Sequence, residues 1–198
     1  MNQKRRTRAA IVAAARAMLD RGETPTVAQV AEEAQMTRTT VYRYFPNQES
    51  LLVELSISVG ADEDFSELLS RPLDSTTPQA RVLEIIDKLN RYIAANEKLY
   101  RTAQRHYLDT WLAAERAGEG GGREVREGRR LRWISTGLAP LRDTMPEADL
   151  ARLEAALCLV TGGEAFTVLR DVCQLEPDQA ITVAHWAAQA LLTAGLQN

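Results

Sequence analysis

Apolar residues recur along this chain at intervals of three and four, without convincing alternation at intervals of two, and that periodicity predicts helices from end to end. Ile11, Ala14, Ala15, Met18 and Leu19 make the stripe of a first helix over residues 8–19. Thr26 and Gln29 fit the reciprocal capping box that opens a short second helix, in which Val27, Val30 and Ala31 share one face and Gln29, Glu32 and Glu33 point to water. Thr37 caps a third helix whose Val41 and Phe45 lie four apart and face inward, leaving Arg38, Thr39, Thr40, Tyr42, Arg43 and Tyr44 outside. Asn47 caps a fourth, and its Leu51, Leu52 and Leu55 lead out of this head.

Residues 62–77 are acidic and polar and contain Pro72, which predicts a helix end and a loop between two domains. Thr77-Pro78 is a cap followed by proline at the first helical position, with Val82, Ile85, Ile86 and Leu89 along one side of the helix it opens. A ring-rich helix over 96–116 carries Tyr100, His106, Tyr107 and Trp111, and the glycines of 118–122 predict a flexible loop after it. A helix over 123–138 should bury Leu131, Ile134 and Leu138. Two long helices close the chain, 147–175 with a kink at Gly162-Gly163, and 178–196. The stripes Leu153, Leu157 and Val160 on one and Ile181, Ala184, Ala188 and Leu191 on the other are the expected dimer interface, because Val183, Ala187, Ala190 and Leu192 make the last helix apolar on more than one face.

Composition changes this picture little, whereas charge changes it a good deal. With 45% apolar and 26% charged residues the chain is ordinary folded protein. No run of apolar residues reaches membrane-spanning length, and Arg16 interrupts the alanines that follow the charged start, so the cytoplasm is the expected compartment and no membrane the expected partner. The net charge of −3 is unevenly spread: residues 1–50 hold eight Lys/Arg against five acids, a balance of +3 that leaves −6 for the rest. A basic head on an acidic body favours nucleic acid at one end only. Lys4, Arg5, Arg6 and Arg8 read as an arm along the backbone or in a minor groove.

The outward face of the third helix suits duplex DNA. Guanidinium groups reach phosphates and guanine edges, threonine offers a hydroxyl to phosphate and a methyl to thymine, and tyrosine hydroxyls donate to phosphate oxygens. No carboxylate interrupts it from Thr37 to Gln48. Residues 8–19, Val30-Ala31 and the string Thr40-Val41-Tyr42-Arg43-Tyr44-Phe45-Pro46, with Glu49 and Leu51-Leu52 after it, resemble the DNA-binding domain of the TetR family of bacterial transcription regulators over about the first fifty-five residues. The resemblance implies an all-α protein: an N-terminal three-helix helix-turn-helix domain, residues 1–55, then a helical ligand-binding and dimerisation domain, residues 56–198. It also implies a homodimer whose last two helices pair as a four-helix bundle. The residues expected to contact DNA are Arg5, Arg6, Thr26, Thr37, Arg38, Thr39, Thr40, Tyr42, Arg43, Tyr44 and Gln48. Gln35 stands at the turn where the family commonly has glycine, which costs about 1 kcal/mol if the left-handed conformation is kept. Gln48 stands where a lysine is usual, removing one charged phosphate contact and lowering the expected salt dependence.

The body holds all three tryptophans and both histidines. Tyr92, Tyr107, Trp111 and Trp133 are candidate walls of a pocket for a small apolar or aromatic ligand, with Arg105, His106 and Glu164 as polar anchors. The expected function is a homodimeric repressor of a palindromic operator, released by such a ligand. Catalysis is not expected, nor any cofactor or metal. Cys158 lies between Leu157 and Leu159 without a neighbouring base, and both Cys158 and Cys173 read as buried structural thiols. The alternative is a helical adaptor or ligand-binding module without operator binding, which would show no sequence-specific, salt-sensitive retention on duplex DNA.

Overall fold

The computed structural model describes residues 3–57, 63–72, 76–118 and 128–196. Every regular element among them is helical, and they fall into two compact units, Met1–Ala61 and Asp62–Asn198.

The first unit contains α1 (Gln3–Asp20), α2 (Val27–Glu33), α3 (Arg38–Tyr44) and α4 (Gln48–Ile57). Ile11, Ala15 and Met18 of α1 meet Val27, Val30 and Ala31 of α2, Val41, Phe45, and Leu51, Leu52 and Leu55 of α4 in one closed core. Ala14 and Leu19 flank it half-buried. The helix starts follow their caps. The Gln29 N–H donates to Thr26 Oγ1 at 3.3 Å while the Thr26 N–H donates back to Gln29 Oε1 at 3.1 Å, and the Ser50 N–H donates to Asn47 Oδ1 at 2.7 Å. One expectation needs correction: α1 begins at Gln3, so Arg5 and Arg6 stand exposed on its first turns and form no extended arm. The sequence from Gln3 through Ala10 holds no glycine or proline and favours helix.

The second unit contains α5 (Glu63–Ser70), α6 (Pro78–Ala95), α7 (Glu97–Ala117), α8 (Arg129–Gly137), α9 (Glu147–Leu159), α10 (Gly163–Thr167) and α11 (Pro177–Leu196). The helix α5 occupies much of the expected loop. Buried Arg81 of α6 donates to the carbonyls of Arg71 and Pro72 and ties down the segment after α5. Val82 and Ile86 of α6, Ile134 and Leu138 at α8, Leu150, Leu153 and Leu157 of α9, and Ala188 and Leu192 of α11 share the core. The expected loop glycines beyond Gly118 and the expected helix start at Arg123 lie outside the described residues.

Packing revises several sequence-based expectations. Leu131 is 44% exposed rather than inside, and Cys173 is exposed, whereas Cys158 is partly buried and packs against the core. The expected kink at Gly162 is a complete break. There the backbone turns through φ +99° at Gly162, the space a Cβ would need is filled by the Arg130 guanidinium, and Asn90 Oδ1 accepts the Gly162 N–H at 3.2 Å. Arg130 also donates to the Thr161 carbonyl and, at 2.9 Å, to Glu164. A wider π turn, Val168–Val172, follows α10.

Candidate nucleic-acid interface

The geometry of α3 is set by the turn before it. The Met36 N–H reaches the Ala31 carbonyl at 2.8 Å and the Gln35 N–H reaches Glu32 at 3.1 Å, which is the double closure of a Schellman cap with Gln35 in the left-handed position at φ +52°. The same closure ends α1, but there Gly22 takes the left-handed position. Gln35 keeps the turn that its family resemblance requires, with a side chain where glycine is unstrained.

Thr37 then starts α3. Its Oγ1 accepts the Thr40 N–H at 3.2 Å and lies 2.8 Å from Thr40 Oγ1, so both hydroxyls are engaged at the cap. Val41, fully buried, and Phe45, 2% exposed, anchor the helix from below. Arg38, Thr39, Tyr42 and Arg43 are exposed, whereas Thr40 and Tyr44 are half-buried and thus less outward than periodicity predicts. The Arg43 guanidinium lies 5.6 Å from the Tyr44 ring, and Arg38 Nη2 donates to Glu32 Oε1 at 2.7 Å. The face therefore presents one hydroxyl, one phenol and two guanidiniums on a rigid base.

Two other expected contacts have different local roles. Thr26 is occupied as the α2 cap, and the Gln48 side chain donates to the Pro25 carbonyl at 3.1 Å, fastening the start of α4 to the approach to α2. Sequence reasoning missed Glu32 and Glu54. Glu32 reads as a solvated helix residue, yet it meets Arg38 across the turn; Glu54 takes both Nε and Nη2 of Arg8, at 3.1 and 2.6 Å. Neither pair has helical spacing, so periodicity carries no sign of them.

In the second unit the candidate ligand residues are distributed over α6 (Tyr92), α7 (Arg105, His106, Tyr107 and Trp111), α8 (Trp133) and α10 (Glu164). Tyr92 meets Tyr100 edge to face at 6.2 Å, Glu164 is paired with Arg130, and Trp111 is 46% exposed. A shallow open depression of about 560 Å³ is lined by Glu97, Lys98, Arg101, Thr102 and Arg105, all on α7, and of the candidates it takes in Arg105 alone. The expected interface residues Leu153, Leu157, Ile181, Ala184 and Ala188 are buried within their own unit, with Val160 and Leu191 partly buried against the same core. They are committed to intramolecular packing; the large exposed apolar residues on these helices are Leu159, Val183, Trp186 and Leu196. Burial pushes the Cys158 thiol up, away from a reactive thiolate. Among the described residues no cluster of His, Cys, Asp or Glu could hold a metal ion, and no helix is long and apolar enough to cross a membrane.

Residues 10–55 match the family of bacterial regulatory proteins described as the tetR family. No curated protein matches the chain in sequence. The fold is similar to the crystal structure of a TetR transcriptional regulator from Rhodococcus sp. RHA1, with a TM-score of 0.61 and 18% identity over 96% of this chain and 97% of that one. Residues 10–55 thus form a capped helix-turn-helix that matches the tetR family of bacterial regulatory proteins, and the chain shares its fold with a TetR transcriptional regulator.

Proposed function

We propose that the protein is a homodimeric repressor that binds a palindromic operator and is released from it by a small apolar or aromatic molecule held in the second unit. The observation that carries the operator reading is the exposed face of α3, where Thr39, Tyr42 and Arg43 project from a helix held by Val41 and Phe45. Arginine reads guanine edges and threonine the thymine methyl, so this face suits the major groove. Two copies would present two such helices about 34 Å apart, one DNA turn, which demands a palindrome.

The dimer reading draws support from α9 and α11. These helices pack on each other, and Leu159 at 79%, Trp186 at 68% and Val183 at 38% exposure leave large apolar side chains in water. A twin subunit would cover them. Release follows from linkage: a ligand that binds the DNA-free state more tightly shifts the population by that difference in affinity, and one without a preference shifts nothing. The protein would act in the cytoplasm, where its operator is.

Selection of random duplexes by the purified protein, with the bound fraction sequenced, tests the reading. A palindromic consensus is expected. No enrichment at low salt would overturn operator binding and favour an adaptor or ligand-binding module.

A further inference from the structure

The turn between α2 and α3 brings an acid onto a surface otherwise built for a polyanion. Glu32, the penultimate residue of α2, and Arg38, the first of α3, are joined at 2.7 Å although their side chains are 68% and 66% exposed. Their separation is set by the Schellman closure through Gln35 and by the Thr37 cap. The pair is thus held by the backbone on both sides.

We propose that Glu32 is a specificity-determining residue of the DNA-binding head: paired with Arg38, it presents that guanidinium to a guanine edge and withholds it from indiscriminate phosphate binding. This rests on the operator-binding reading above. A guanidinium has five N–H donors, and the contact with Glu32 uses one of them on Nη2. A two-donor edge is left for the O6 and N7 acceptors of guanine, and a side chain already fixed loses less freedom on binding. On an arbitrary sequence the balance differs. Swapping the carboxylate for a phosphate exchanges one anionic partner for another and leaves Glu32 unpaired beside the DNA backbone. An unpaired like charge is a penalty paid only by the wrong complex.

The test uses the full-length protein, the duplex recovered by selection and a random duplex of equal length, each titrated over a range of salt. Glu32→Gln is expected to tighten binding to random duplex about three- to fivefold, the scale of an exposed ion pair, and to steepen its salt dependence by about 0.9 in log–log slope. The ratio of operator to random affinity then falls at least about threefold. In an Arg38→Ala background the same change should move both duplexes alike and leave the ratio constant. An unchanged ratio in the native background, or an equal fall without Arg38, would overturn the role of Glu32. Absence of sequence preference in the unsubstituted protein would overturn the operator reading and this proposal with it. Circular dichroism of each variant verifies folding, and both side chains are exposed enough that the fold should persist.

Discussion

Arg8 and Glu54 are joined by two hydrogen bonds, 3.1 Å from Nε and 2.6 Å from Nη2, across α1 and α4. The same guanidinium lies 5.5 Å from the centre of the Phe45 ring, the residue that anchors the end of α3. One side chain of α1 therefore reaches both α4 and the residue that ends α3. Arg8→Ala should destabilise the head by about 1 kcal/mol, the upper part of the range for an exposed pair. A double-mutant cycle with Glu54→Gln in urea unfolding should give a coupling energy of a few tenths of a kcal/mol or more. Strict additivity would assign the Arg8 effect to packing on Phe45 alone.

Gln35 holds a left-handed backbone at φ +52° and is exposed, so its side chain contributes no core packing that a replacement would forfeit. Gln35→Gly should therefore stabilise the α2–α3 turn by about 1 kcal/mol. Slower amide exchange in α2 and α3 is the readout, and unchanged or faster exchange would show that the turn carries no strain.

The helix α8 approaches α6 closely at Gly137: a Cβ there would lie 2.7 Å from Val82 Cγ2 and 3.2 Å from Ile85 Cδ1. Gly137→Ala should destabilise the second unit by about 1–3 kcal/mol, the usual cost of overpacking. The tryptophans all lie in this unit, so their fluorescence in denaturant reports it directly. An unchanged midpoint would mean that the α6–α8 contact can open without loss.

Trp186 is 68% exposed on α11, and a glutamate there has room within the monomer but none in an apolar interface. Trp186→Glu should halve the sedimenting mass if α11 joins two copies, with the helical signal intact. A dimer of unchanged mass would move the interface to another surface.

Asp171 on the π turn receives two hydrogen bonds from Arg101 of α7, at 2.8 and 2.6 Å, and that guanidinium holds its carboxyl below the usual carboxylate range. A folded pKa below the unfolded one gives stability that is present above the unfolded value, about 3.9, and is lost as pH falls through the folded value. The midpoint difference between the native protein and Asp171→Asn should be full near neutral pH and shrink as pH falls below the unfolded value. A difference that persists in acid would rule out the ion pair as its source.

Much of the head was legible because its signals are local. Thr26, Gln29, Thr37 and Asn47 form the caps their spacing predicts, and Val41 and Phe45 point inward, since a helix periodicity and a hydrogen bond three residues away need no knowledge of the rest of the chain. The charge asymmetry and the aromatic string of α3 belong to the same class. What lies beyond local range was settled by packing. The stripes Leu153–Leu157 and Ile181–Ala184–Ala188 are apolar whether a neighbour in the same chain or a second copy covers them, and only the arrangement of α6, α8, α9 and α11 directs them inward while leaving Leu159 and Trp186 outside. The break at Gly162 depends on Asn90, 72 positions away, and on Arg130 filling the place of a side chain. The pairs Arg8–Glu54 and Glu32–Arg38 likewise exist because folded helices bring their charges together, a relationship that no periodicity within one helix encodes.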